Sequence, residues 1–273
     1  VTGAALTPRP VTPTSILAAE LAELCRELGT VAGLPAAVLD RAQRAGALAA
    51  GLDPYLDRCT SPESPALTRL SERTAHTDWS ARAGGVVFLE QEMLSGHVEG
   101  KTLQFLLHLS RCTRVLEIGM FTGYSALAMA EALPAGGTVL ACEIDPEVAR
   151  FARECFDASP VGDRITVAVG PALETLQQLP DTEPPFDFVF IDADKAGYLG
   201  YVDFLLSSPL LAPEAVIAVD NTLMQGQPYT GTGVTANGAA IATFNQAIAD
   251  DPRVEQVLIP LRDGLTLIRR APA

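Results

Sequence analysis

From Arg114 to the end of the chain, short apolar runs alternate with stretches whose apolar residues recur every three or four positions. The runs Arg114–Ile118, Thr138–Glu143, Arg164–Val169, Phe186–Ile191, Ala215–Val219, Val254–Pro260 and Leu265–Arg269 read as strands. Helical periodicity follows the first five, over Tyr124–Leu133, Pro146–Asp157, Ala172–Leu179, Tyr198–Leu206 and Ala239–Asp250. Five strand–helix units with nearly continuous apolar strands predict a parallel sheet covered by helices on both faces. Only Leu261-Arg262-Asp263-Gly264 separates the last two strands, and Asp-Gly is a hairpin signal, so the sheet should end in an antiparallel pair. The expected fold class is α/β, a doubly wound Rossmann-like sheet of seven strands.

Upstream the pattern changes. After a Pro/Thr-rich lead, Ile16, Leu17, Leu21, Leu24 and Leu28 keep helical spacing and stop at Gly29. A second helix is expected over Pro35–Ala50, with proline at its start and Gly51 after its end. Thr60–Ser64 reads as a linker, followed by helices at Pro65–Ala75 and Gly100–Leu109. The chain therefore divides into a helical extension, residues 1–58, and a main domain, residues 59–273. The Leu/Ala faces of the extension need a partner surface, as a cap, a lid or a dimer arm.

Composition narrows the classes. At 273 residues the chain can bury one substantial core. Its formal charge of −14 argues against nucleic acid or an anionic membrane surface as a partner. No apolar stretch approaches the ~18 residues of a membrane span, and Val1–Ser15 lacks the form of a secretory signal. Five widely spaced cysteines, without a C-x-x-C, suit reduced thiols in a cytoplasmic protein.

The candidate chemistry lies where strands end. Phe188-Val189-Phe190-Ile191 runs into Asp192, and Val216-Ile217-Ala218-Val219 runs into Asp220-Asn221. Ligands bind at the carboxyl ends of strands in such sheets, so these side chains should converge as hard oxygen donors for Mg²⁺ or Ca²⁺. Lys195, one of only two lysines, lies just beyond the first run as a candidate base. The first strand enters a turn at Gly119 and Gly123 that is not G-x-G-x-x-G, so a pyrophosphate seat is absent. Glu143 closes the second strand, where an acid accepts ribose hydroxyls, and Gly170-Pro171-Ala172 could border an adenine. A ribose acid without a phosphate seat fits an adenosyl ligand such as S-adenosylmethionine.

The strings L-E-I-G-M-F-T-G-Y-S, F-D-F-V-F-I-D-A-D-K, A-V-D-N-T-L and I-P-L-R-D-G-L-T-L-I-R-R, in this order, resemble the caffeoyl-CoA O-methyltransferase-like group of cation-dependent catechol O-methyltransferases. The resemblance spans about Thr60 to Arg270 and implies a class I S-adenosylmethionine-dependent methyltransferase. It implies that Met93 and Ser95 border the methionine part of the cofactor, with Glu117, Gly119 and Ser125 at its amino-acid end. Glu143 would bind the ribose and Ala172 would lie by the adenine. Asp192, Asp220 and Asn221 would ligate the metal, Mg²⁺ before Ca²⁺ or Mn²⁺, with Lys195 as catalytic base. Asp192 would serve three times, as metal ligand, cofactor neighbour and catalytic residue. The partners implied are a small aromatic acceptor and a second copy of the chain, as a homodimer.

Three departures bear on the acceptor. Met224 stands where many relatives have tryptophan, Gln225–Asn237 carries no charge, and the first 55 residues have no counterpart. A non-catechol acceptor (hydroxamate, sugar or carrier-bound aromatic) and a non-catalytic adenosyl-binding protein stay open as alternatives. Other residues read as structural: Asp187 and Asp194 as structural acids, His97 as a solvated loop residue, Tyr198 and Tyr201 as packing, and Trp79 and Tyr55 as core or interface aromatics.

Overall fold

The computed structural model describes residues 9–79, 89–180 and 182–272; the first eight residues of the lead lie outside them. Seven strands, β1 (Arg114–Ile118), β2 (Thr138–Glu143), β3 (Ile165–Val169), β4 (Phe186–Ile191), β5 (Leu211–Val219), β6 (Val254–Ile259) and β7 (Leu265–Arg270), form one sheet. Their order is β3-β2-β1-β4-β5-β7-β6. The first five are parallel, and β7 runs antiparallel to β5 and β6. This is the doubly wound mixed sheet expected from the apolar pattern.

The pleat of β4 explains the two cores. Phe188 and Phe190 point to one face, where they meet Leu103 and Leu107 of α4 (His97–Ser110) and Leu127 of α5 (Tyr124–Ala132). Val189 and Ile191 point to the other, against Tyr198 and Val202 of α8 (Tyr198–Ser207) and Phe244 of α10 (Ala236–Ala249). Period-two alternation puts both sets under cover, which is why the run contains no polar break until Asp192. Each fully buried phenylalanine contributes roughly 1.5–3 kcal/mol. Between them, α6 (Pro146–Asp157) lies over the first face and α7 (Ala172–Gln177) over the second, through Ala152 and Leu176.

Several boundaries move for local reasons. β5 begins at Leu211 rather than Ala215, because a register shift between Phe186 and Phe188 lets the strand carry Pro213. α10 starts three residues early, with Thr235 Oγ1 accepting from Gly238 N at 3.1 Å. α4 starts at His97, before Gly100, whose missing side chain admits the Tyr124 ring: a Cβ there would lie 2.8 Å from it.

The extension is a hairpin of α1 (Pro13–Leu28) and α2 (Ala36–Cys59). Gly51 does not end α2, which continues through Pro54 to Cys59. Proline there removes one helical hydrogen bond, and the helix runs on past it, packed along α1 and tied to α4 where His97 meets Asp57. Neither helix buries a residue fully. α1 rests against the Met224–Gly226 turn that follows β5, and the preceding Arg9 pairs with Glu90 and Glu92. α3 (Pro65–Ala75) closes the first core with Leu67 and Leu70. No helix of the described residues is long and apolar enough to cross a membrane.

Candidate active site

The site is built by main-chain bonds that run one residue past the strands. Asp192 N donates to Ile118 O and Asp220 N to Ile191 O, both at 2.9 Å. Asp192 and Asp220 are thereby fixed on adjacent strand ends. Gly119 N likewise bonds Cys142 O at 3.1 Å, and Gly170 N bonds Glu143 O at 2.9 Å. Gly119 (φ 86°) has no substitute here, since a Cβ would fall 2.1 Å from the Asp192 carbonyl oxygen.

Met93, Ser95, Gly119, Ser125 and Asp192 line one crevice, together with Leu94, Met120, Phe121 and Tyr124. Glu117, Glu143 and Ala172 are not among its lining residues. Glu117 lies on β1, 0% exposed, and neither carboxyl oxygen has a hydrogen-bond partner among the described residues. Burial raises its pKa well above the usual range; the nearby Ser125 hydroxyl opposes this, and Asp192 and Glu143 add to it. A hydrogen-bond partner is what this buried carboxyl lacks. Glu143 is oriented by two backbone donors, Phe121 N at 2.8 Å and Asp145 N at 2.9 Å, and its oxygens keep lone pairs for further donors. Burial raises its pKa against these bonds.

At the neighbouring corner Lys195 Nζ donates to Asp192 Oδ1 at 2.8 Å and Asn221 Oδ1 at 2.6 Å. Asn221 adopts φ 60°, and its backbone and side-chain nitrogens both donate to Asp220, at 2.6 and 3.1 Å. Burial raises the pKa of Asp220 far up, and Glu99 and Asp192 raise it further, against Lys195 and Arg262. Burial also raises Glu99, and brings Asp263 up to about 7. Four carboxyls thus act on one another with two cations among them. Among the described residues no three His, Cys, Asp or Glu side chains form a metal cluster; the oxygen donors brought together are Asp192, Asp220 and the amide of Asn221.

Some roles differ from expectation. Tyr198 is buried as a packing residue, but its hydroxyl also lies 2.6 Å from Lys195 Nζ and donates to the Asp220 carbonyl at 3.1 Å. The Lys-x-x-Tyr spacing across the start of a helix was the available signal. His97 is not a solvated loop residue: it opens α4, with ring nitrogens 2.7 Å from Asp57 Oδ1 and 2.6 Å from Ser61 O. Asp187 is structural, accepting from Thr113 and Arg114, and Asp194 accepts from Tyr201. Trp79 packs against Phe121 and Phe151. Tyr55 is exposed with Arg58 over its ring.

Sheet order, antiparallel end pair and strand-end crevice define a class I methyltransferase fold. The profile of the O-methyltransferase family matches residues 58–271, and the chain belongs to that family, S-adenosylmethionine-dependent enzymes that methylate oxygen. Caffeoyl-CoA O-methyltransferase 2 of Zea mays is 35% identical over 230 residues, covering 79% of this chain and 80% of that one. An SAH-bound Podospora anserina methyltransferase superposes with a TM-score of 0.70 at 30% identity, covering 82% of this chain and 96% of the other. The O-methyltransferase TomG of Streptomyces achromogenes, in complex with SAM, gives 0.68 at 27%, covering 81% and 96%.

Proposed function

We propose that the protein methylates a hydroxyl of a catechol-like small aromatic, using S-adenosylmethionine and a divalent cation, Mg²⁺ in preference to Mn²⁺ or Ca²⁺. The observation that carries this reading is the donor set of the corner. Asp192 and Asp220 are fixed on adjacent strand ends by the bonds Asp192 N–Ile118 O and Asp220 N–Ile191 O, with the Asn221 amide beside Asp220, which suits one divalent ion. The donors are all oxygen, as such ions require, and Asp192, Asp220 and Asn221 would hold it.

In this reading Glu117 takes the ammonium of the cofactor's methionine, beside Met93, Ser95, Gly119 and Ser125. Glu143 takes the ribose hydroxyls, and Ala172 borders the adenine. The cofactor would supply a sulfonium methyl to the acceptor oxygen and leave as S-adenosylhomocysteine. The cation would supply a lowered pKa to the acceptor hydroxyl. Lys195 in its unprotonated form would accept the hydroxyl proton at Nζ; the three donors seen on Asp192, Asn221 and Tyr198 are those of the ammonium it becomes. Tyr198 would hold that nitrogen in place. The uncharged stretch Gln225–Asn237 supports a free small molecule over a CoA thioester. With α1 against the Met224–Gly226 turn, the extension acts as a cap on the acceptor side.

The reading includes a cytoplasmic homodimer, supported by five unpaired cysteines and by exposed Leu48 and Leu109, 81% and 77% accessible. Sedimentation of the full chain at micromolar concentration tests the dimer. Glu117→Gln, which removes the charge but keeps the shape, is expected to weaken S-adenosylhomocysteine binding about tenfold or more, read by calorimetric titration. The function itself is tested by transfer of labelled methyl to catechols and single-hydroxyl analogues, with Mg²⁺ and with EDTA. Product confined to vicinal diols and lost in EDTA is expected; turnover that persists in EDTA would sink the cation assignment.

A further inference from the structure

Two side chains stand behind the Asp192–Asp220–Asn221 corner and come from neither strand end. Glu99, in the first turn of α4, is 1% exposed. Its Oε2 accepts from Nη1 of Arg262 at 3.2 Å, and its Oε1 has no partner among the described residues. Arg262 sits in the β6–β7 turn at φ 49°, a left-handed backbone that is strained for a non-glycine residue. Its Nη1 also donates to the Leu94 carbonyl at 3.2 Å, passing Gly96 so closely that a Cβ there would lie 2.7 Å away. The turn does not need this side chain for its own shape. Thr222 N–Gly264 O at 3.0 Å and Leu223 N–Asp263 O at 2.8 Å already hold it. A strained arginine threaded to a half-satisfied buried carboxyl, on a turn bonded to the two residues that follow Asn221, points to the charge of the corner.

We propose that Glu99 and Arg262 are positioning residues that set the cation affinity of this corner in opposite senses. Glu99 is the acid that deepens the well for the ion, and Arg262 is the counter-charge that keeps it shallow enough for exchange. The proposal rests on the cation reading above. Because each acts through its charge on the same donors, removing the acid weakens binding and removing the base strengthens it.

The test is calorimetric titration of Mg²⁺ and Mn²⁺ into the full chain and into E99Q, R262G, R262K and the E99Q/R262G double variant. A charged neighbour is worth about tenfold or more, so E99Q should bind about tenfold weaker and R262G about tenfold tighter. R262K, which keeps the charge, and the double variant should fall within about threefold of the parent chain. A thermal midpoint for each separates folding from affinity; should R262G fail to fold, E99Q and R262K carry the test. Equal affinity of E99Q and the parent chain, or weaker binding by folded R262G, overturns the proposal while leaving the cation reading intact. A parent chain that takes up neither ion at millimolar concentration overturns both.

Discussion

Replacing Lys195 by methionine is expected to lower kcat about 10²–10⁴-fold, the range for loss of a positioned proton acceptor, while S-adenosylhomocysteine binding changes little. Methionine reaches about as far as the lysine Cε, with sulfur in place of Cδ, and lacks the amine. That nitrogen bridges Asp192, Asn221 and Tyr198, at 2.8, 2.6 and 2.6 Å. It is therefore placed to take a proton from an oxygen presented at the same donors. The crevice lining does not include Lys195, which is why cofactor binding should survive. Steady-state kinetics with varied acceptor, beside a titration with S-adenosylhomocysteine, decide the matter. A kcat within threefold of the parent enzyme would exclude Lys195 as the base.

The second large effect is structural. Gly119→Ala places a methyl 2.1 Å from the Asp192 carbonyl oxygen, main chain that no rotamer change can move. The strand ends of β1 and β4 must separate, so both the crevice and the placement of Asp192 are lost. A stability loss of about 3 kcal/mol or more is expected, roughly 6–12 °C for a chain of this size, with no measurable cofactor binding. Gly136→Ala is the natural comparison. That glycine has φ 81°, close to the 86° of Gly119, but nothing lies within 4 Å of its would-be Cβ. It should cost only the backbone penalty, about 1–2 kcal/mol. Equal melting points for the two variants would show that the close approach at Gly119 is not what makes it glycine.

The sheet was legible because its strands are buried on both faces, and burial leaves an unbroken apolar run in the sequence. The same runs marked Asp192 and Asp220, since a carboxylate directly after four apolar residues stands at a strand end. Boundaries were misplaced where tertiary contacts overrule local signals: Gly51 and Pro54 inside α2, and Pro213 inside β5. The back of the corner was not legible. Glu99 and Arg262 are 163 residues apart and meet only because α4 and the β6–β7 turn both close on the same strand ends. Neither carries a motif of its own. Tyr198 was correctly placed in the core, but periodicity reports burial and says nothing about where a hydroxyl points.

The bonds from Asp192 N to Ile118 O and from Asp220 N to Ile191 O have a consequence for how such an enzyme diversifies. The spacing between the two backbone positions that carry its carboxylates is the spacing between neighbouring strands, about 4.8 Å, and is set by amide geometry common to every parallel sheet. No loop sequence enters that distance. The Met224–Gly226 turn, the uncharged stretch after it and the α1–α2 hairpin are therefore free to drift toward new acceptors without retuning the chemistry. A one-residue slip of β4 or β5, by contrast, would turn a carboxylate to the opposite face and end it in a single step.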